Sequence, residues 1–178
     1  MAIMDVEQFK GNITGGGARA NLFKAEIQYK LGGGDTETTS FLCKGAQLPG
    51  STIGTVVVPF RGRQVKLAGD RTFEPWTITI INDTDFAIRN AFERWLSELN
   101  QHKGNTGLQD YTSYQGQMSV KQLDRTGTEV KTYKFVNAWP SIVAPIEVSY
   151  DQTDTIEEFQ VTIEYDYWTS DTTDGGTS

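Results

Sequence analysis

The 178 residues are 37% hydrophobic and 22% charged, the balance of a chain that buries one core and is short for two. No apolar run reaches bilayer length, and the first residues lack a basic start followed by an apolar stretch, so neither a membrane span nor a secretory signal is expected. The net charge of −7 is unevenly placed: residues 135–178 hold nine acids and no lysine or arginine, which argues against a nucleic-acid-binding face there.

Residues 1–21 read as irregular, with Gly15, Gly16 and Gly17 supplying backbone freedom. The first strand is 22–31, with Phe23, Ala25, Ile27, Tyr29 and Leu31 on one face and Lys24, Glu26, Gln28 and Lys30 on the other. Gly32 to Asp35 turns the chain. A second strand at about 38–44 places Phe41 and Cys43 on one side. A Gly- and Pro-rich loop follows at 45–54. Residues 55–67 read as a strand in which Pro59 and Gly62 mark an edge or a bulge. AGDR, 68–71, then reads as a tight corner before an alternating strand from Trp76 to Ile81, which Asn82, Asp83 and Thr84 stop.

One helix is expected, at about 84–101. Ile88, Ala91, Phe92, Trp95, Leu96 and Leu99 form a single apolar stripe, and Asp83 or Thr84 supplies a cap. A polar loop at 104–116 precedes strands at 117–124, 129–137 and 144–150, with a turn at Asp124–Gly127. The last strand, 157–168, has Phe159, Val161, Ile163, Tyr165 and Tyr167 on one face. Glu158, Gln160, Thr162, Glu164 and Asp166 lie on the other. The tail from Thr169 reads as disordered, so a single domain covers 1–170 and a loose end covers 171–178. The class is mainly β: two packed sheets forming a barrel or sandwich, with one flanking helix.

Catalytic and metal chemistry finds little support. His102 is the sole histidine and sits at a helix C-terminus, where a cation is favoured. Cys43, the sole cysteine, excludes an internal disulfide and reads as a buried, inert thiol in an apolar row. Cys and His are too few for a zinc site. Asp83-Thr84-Asp85 resembles a metal-binding Asp-x-Asp, but a helix cap explains it. Neither glycine triplet is followed by Gly-Lys-Ser/Thr, so neither is a phosphate loop. Acids are plentiful, yet no pair is marked out for glycoside hydrolysis. No catalytic, metal or cofactor site is assigned, and the chain is expected not to be an enzyme.

Five stretches in order, 18–29, 41–50, 58–83, 137–140 and 157–168, resemble the tail-tube proteins of contractile-tailed bacteriophages of the T-even type, related to type VI secretion tubes. AGDRTF followed by an alternating strand and Asn-Asp is the most specific of them. The resemblance implies six copies in a ring and rings stacked into a hollow tube inside a contractile sheath. It implies as partners further copies of the chain, the sheath, baseplate, tail-terminator and tape-measure proteins, and DNA that passes through without specific binding. It places the protein in the virion tail after synthesis in the host cytoplasm, without membrane insertion. Alternative readings are a tube-initiating baseplate protein or the tube of another contractile injection system. A small β-fold hydrolase or carbohydrate-binding module is a more distant alternative.

Two residue sets follow. Ile3, Phe9, Leu48 and Ile53 are apolar residues in Gly-rich segments, and Asp70 and Arg71 occupy the expected corner; all six are assembly-contact candidates. Glu158, Glu164 and Asp166 are candidates for facing the lumen.

Overall fold

The structure is a computed structural model that describes residues 5–13 and 17–173. Seven strands form one antiparallel sheet system: β1 (Phe23–Ile27), β6 (Gly116–Leu123), β7 (Glu129–Val143), β8 (Glu158–Glu164), β5 (Trp76–Ile81) and β2 (Cys43–Ala46) in that spatial order, with β9 (Tyr167–Ser170) also beside β7. Strands β3 (Thr52–Phe60) and β4 (Arg63–Thr72) pair with each other as a separate two-stranded ribbon. Among the described residues three α-helices accompany them: α1 (Val6–Asn12), α2 (Thr36–Leu42) and α3 (Ala87–Leu99). The seven strands do not close into a barrel; the arrangement is sandwich-like.

The 15-residue β7 belongs to both halves of the sandwich. Its first part pairs with β6 on one side and, over Tyr133–Val136, with β9 on the other; its last part, Trp139–Val143, pairs with β8. Asn137, with φ 58°, sits between the two parts and bends the strand. The chain turns a matching corner at Tyr165 and Asp166, where the Asp166 N–H donates to the Val136 carbonyl and the Asn137 amide donates to the Asp166 carboxylate. The single long strand expected at 157–168 is therefore two strands, and Asp166 lies at their junction rather than in the row of Glu158 and Glu164.

The alternation of the sequence explains the core. Trp76, Ile78 and Ile80 on β5 stand opposite Ile163, Val161 and Phe159 on β8, and all six are buried. Ala25 and Ile27 on β1 stand opposite Val120 and Met118 on β6, also buried. Trp76 stacks on Phe135 of β7 with ring centroids 4.3 Å apart, tying the two halves together. Helix α3 supplies Ile88, Ala91, Phe92 and Trp95 to this core, as its stripe requires. Its start is held by Asp83, whose carboxylate accepts the Ala87 N–H at 3.1 Å.

Several expected elements differ. Residues 36–42 form a helix, not a strand, because the Asp35 carboxylate accepts the backbone N–H groups of Glu37 and Thr38 and caps the turn. Within that helix Thr39 is buried and bonds the Tyr29 hydroxyl at 2.8 Å, while Phe41 points to solvent. Cys43 then opens β2 and is buried, with its thiol pushed up to about 11 by that burial. Residues 6–12 form a short exposed helix rather than an irregular arm. No strand forms at 144–150; the chain loops from Ala144 to Glu157. At the C-terminal end, Thr169 and Ser170 belong to β9, and the Asp171 carboxylate accepts the Thr132 N–H at 2.9 Å, so order extends past the expected start of the tail. Residues 174–178 lie outside the described residues.

Candidate assembly surface

The segment expected to be a strand with an irregular Pro59 and Gly62, followed by a corner at AGDR, is one hairpin. Arg61 and Gly62 form its two-residue tip with φ 46° and 77°, the left-handed pair that suits the twist of antiparallel strands. AGDR runs inside β4. Gly69 faces an irregularity in the pairing between Ile53 and Thr55, and a side chain there would crowd the Gly54 carbonyl at 3.1 Å. The glycine permits a close approach of two strands; it does not make a turn.

Cross-strand partners project from the same face, so the register separates the ribbon into two sides. Val56 opposes Leu67, Val58 opposes Val65, and Phe60 opposes Arg63. That side is an apolar strip of five residues, each 43–61% exposed. The other side is mixed: Thr55 with Ala68, Val57 with Lys66, and Pro59 with Gln64. Every residue from Thr52 to Thr72 is exposed except the half-buried Gly69. A two-stranded ribbon with both faces in water is marginal by itself, and an uncovered strip of this kind is stabilised by a partner surface.

The root of the ribbon is anchored. Trp168 donates its indole N–H to the Gly50 carbonyl at 3.0 Å, and the Tyr165 hydroxyl donates to the Glu74 carbonyl at 2.7 Å. Phe73 packs between them, with centroids 6.2 Å from Tyr165 and 6.3 Å from Trp168. Burial and the nearby carboxylates raise the Tyr165 pKa, which keeps this hydroxyl a donor. The aromatic clamp fixes where the ribbon leaves the body.

The assembly-contact candidates fall as follows. Ile53 and Arg71 are cross-strand partners near the base of the ribbon, with Asp70 beside them. Among the described residues neither Asp70 nor Arg71 makes an ion pair or a side-chain hydrogen bond, so neither braces a turn within the chain. Leu48 and Phe9 are exposed, on the approach to the ribbon and on α1 respectively. Ile3 lies outside the described residues. Sequence reasoning missed the apolar strip; its signal is two β-rich runs flanking Arg61-Gly62.

The acidic row has a definite setting. Glu158 and Glu164 share the wet face of β8 with Gln160 and Thr162, across from Ile81, Thr79 and Thr77 of β5. Lys44 of β2 reaches across β5 to pair with Glu158. On the opposite half, Glu26 pairs with Lys24 at 2.8 Å and Lys121 at 3.2 Å, which holds its carboxyl below the usual range. Among the described residues no cluster of three or more His, Cys, Asp or Glu side chains is placed to hold a metal. Among the described residues no helix is long and apolar enough to cross a membrane.

A family model described as phage tail tube protein matches residues 8–171. The chain belongs to the phage tail tube protein family. Tail tube proteins gp19 of Enterobacteria phages T4 and T6 are each 35% identical to it over 158 residues, covering 87% of this chain and 93% of theirs. The tail tube protein of Serratia phage KSP90 is 26% identical over 165 residues, covering 90% and 93%. Two contractile-particle structures share the fold. A chain of the anti-feeding prophage tube-terminating cap superposes with a TM-score of 0.64 at 15% identity, covering 86% of this chain and 89% of that one. A chain of the PVC sheath/tube terminator superposes at 0.62 and 12% identity, covering 85% and 94%. In this tail tube family member the conspicuous feature is the uncovered ribbon.

Proposed function

We propose that the chain is the structural subunit of the inner tube of a contractile phage tail, with six copies forming a ring and rings stacking into a hollow conduit. One observation carries this reading: a family member whose core is packed by its own strands and helix leaves an anchored ribbon with an apolar strip facing water. Ring closure and stacking cover such strips and remove free strand edges. The protein acts through its shape and assembly, without a catalytic step. Its place is the virion tail, inside the sheath and between baseplate and terminator, around a tape-measure protein and later DNA.

Phe9, Leu48, Ile53, Asp70 and Arg71 belong to the contacts between copies in this reading. The wet face of β8 lines the lumen through Glu158 and Glu164, where carboxylates repel phosphates within about one Debye length, roughly 8 Å at physiological salt. Asp166, bound at the strand corner, contributes charge from the rim of that face. Negative-stain images and light scattering of the purified protein over a range of concentration and salt test the proposal. Rings or hollow tubes support it. Stable monomers under every condition overturn it.

A further inference from the structure

The ribbon and the 144–157 loop are complementary and lie at opposite ends of the same sheet. β2 leads into the ribbon after Ala46, which pairs with Ile78, and the ribbon leads into β5 at Trp76, which pairs with Ile163. The ribbon therefore leaves the sheet at the C-terminal end of β8. The loop joins Val143, which pairs with Val161, to Glu158, which pairs with Ile81. It therefore caps the N-terminal end of β8. The seven residues of β8 put about 20 Å between the two ends.

Their chemistry matches. Residues 52–72 hold four cations, Arg61, Arg63, Lys66 and Arg71, against one acid, Asp70, a net of +3. Residues 144–157 hold Glu147, Asp151, Asp154 and Glu157 and no cation, a net of −4. Both carry apolar groups in water: the five-residue strip on the ribbon, and Val148, Tyr150 and Ile156 on the loop. Among these, Val148 is 78% exposed and Ile156 67%. The exposed α1 has a different balance, with Glu7 offset by Lys10, whereas the loop carries charge opposite to the ribbon's.

We infer that the β3–β4 ribbon of one copy docks on the 144–157 loop of a second copy placed end to end with it. The inference rests on the tube reading and gives it a direction. The two patches differ and point opposite ways, so the contact is head to tail, and each bound copy presents a fresh ribbon at one end and a fresh loop at the other. Contacts of this kind propagate instead of closing. The charges select loop against ribbon and disfavour ribbon against ribbon, and the apolar groups exclude water once docked.

Charge exchange tests the pairing. The ribbon variant carries Arg61→Glu, Arg63→Glu and Lys66→Glu; the loop variant carries Glu147→Lys, Asp151→Lys and Asp154→Lys. Each alone is expected to lose tubes by negative stain and sedimentation while keeping its far-UV spectrum, and the combined six-residue variant is expected to recover them. A second arm uses Gln64→Cys with Ser149→Cys and a bismaleimide linker on assembled tubes; the buried Cys43 stays unreactive. Cross-links between copies are expected, giving a ladder of multimers on a denaturing gel. If wild-type protein forms no tubes, the tube reading falls and this pairing with it. If wild-type tubes form and single reversals leave them unchanged, or the combined variant stays unassembled while the linker yields no multimers, the pairing alone is overturned.

Discussion

Replacing Trp95 with alanine empties the centre of the α3 contact. Trp95 is 0% exposed, packs 5.8 Å from the Tyr29 ring, and donates its indole N–H to the Tyr114 carbonyl at 3.2 Å. Removing a buried aromatic side chain of this size costs about 3–5 kcal/mol, the lost transfer energy plus the cavity left behind. The hydrogen bond adds little, because Tyr114 sits in a half-exposed loop where water replaces the donor. Native domains hold about 5–15 kcal/mol in total, so the substitution removes a large share. For a chain of this length it lowers Tm by roughly 10 °C. Urea unfolding of the dissociated subunit, followed by far-UV circular dichroism, reads the change as a shift in midpoint at constant slope. Trp95→Phe keeps most of the ring and serves as the control, with a cost of about 1–2 kcal/mol. A loss below about 1 kcal/mol for Trp95→Ala refutes the assignment of α3 to the core.

Gly32 has φ 76°, and a side chain there would run into the Ala91 carbonyl of α3, so Gly32→Ala is expected to cost at least ~2 kcal/mol in the same unfolding assay. Val58→Asp with Val65→Asp puts charge on the apolar strip, 43% and 45% exposed; subunit stability is expected to hold within about 1 kcal/mol while assembly by light scattering is lost. Three carboxylates have folded pKa values below their ordinary ones: Glu26 through Lys24 and Lys121, Asp35 through the Thr38 hydroxyl and N–H, and Asp124 through the Thr126 hydroxyl and Thr128 N–H. Their stabilisation is complete above the ordinary values of 4.5 and 3.8 and is lost as pH falls through the folded values. Melts between pH 7 and 3 are expected to show a flatter acid limb in the Glu26→Gln, Asp35→Asn, Asp124→Asn variant. Glu158→Lys with Glu164→Lys is expected to preserve tubes and slow DNA ejection, more at low salt than at high; ejection at the normal rate contradicts the lumen assignment.

The sequence shows most plainly what alternation controls. Trp76–Ile81 and Glu158–Glu164 have unbroken period-two patterns, and both are strands with the expected face buried. Helix α3 has its stripe, but it starts at Ala87, later than expected, with Phe86 at its N-cap making no side-chain bond and Asp83 accepting the Ala87 N–H from upstream. The errors arise where a local hydrogen bond outweighs propensity. Thr36, Thr38 and Thr39 favour a strand by side-chain shape, yet Asp35 caps that segment as a helix. The AGDR corner is misread because glycine serves a close strand approach as readily as a turn. The break at Tyr165 is invisible because β9 keeps the register of β8 against β7: Glu164 opposes Trp139 and Tyr167 opposes Val136, and Tyr165 and Asp166 fall out of the pairing beside Asn137. The assembly surface is hardest to read. Its apolar strip exists only once the register pairs Val56 with Leu67 and Val58 with Val65, and one strand alone reveals neither the pairing nor the missing cover.

The shared strand β7 has a mechanical meaning. Its backbone passes through both halves of the sandwich, held by β6 and β9 before Asn137 and by β8 after it. A load applied to one half reaches the other through covalent bonds, and the Trp76–Phe135 stack only has to resist their sliding. Tension along β7 strains the rungs of three neighbouring ladders together, whereas a peeling force would break them one at a time. The axis of β7 is the stiff direction of the subunit, and Asn137 is where a sideways load would make it yield.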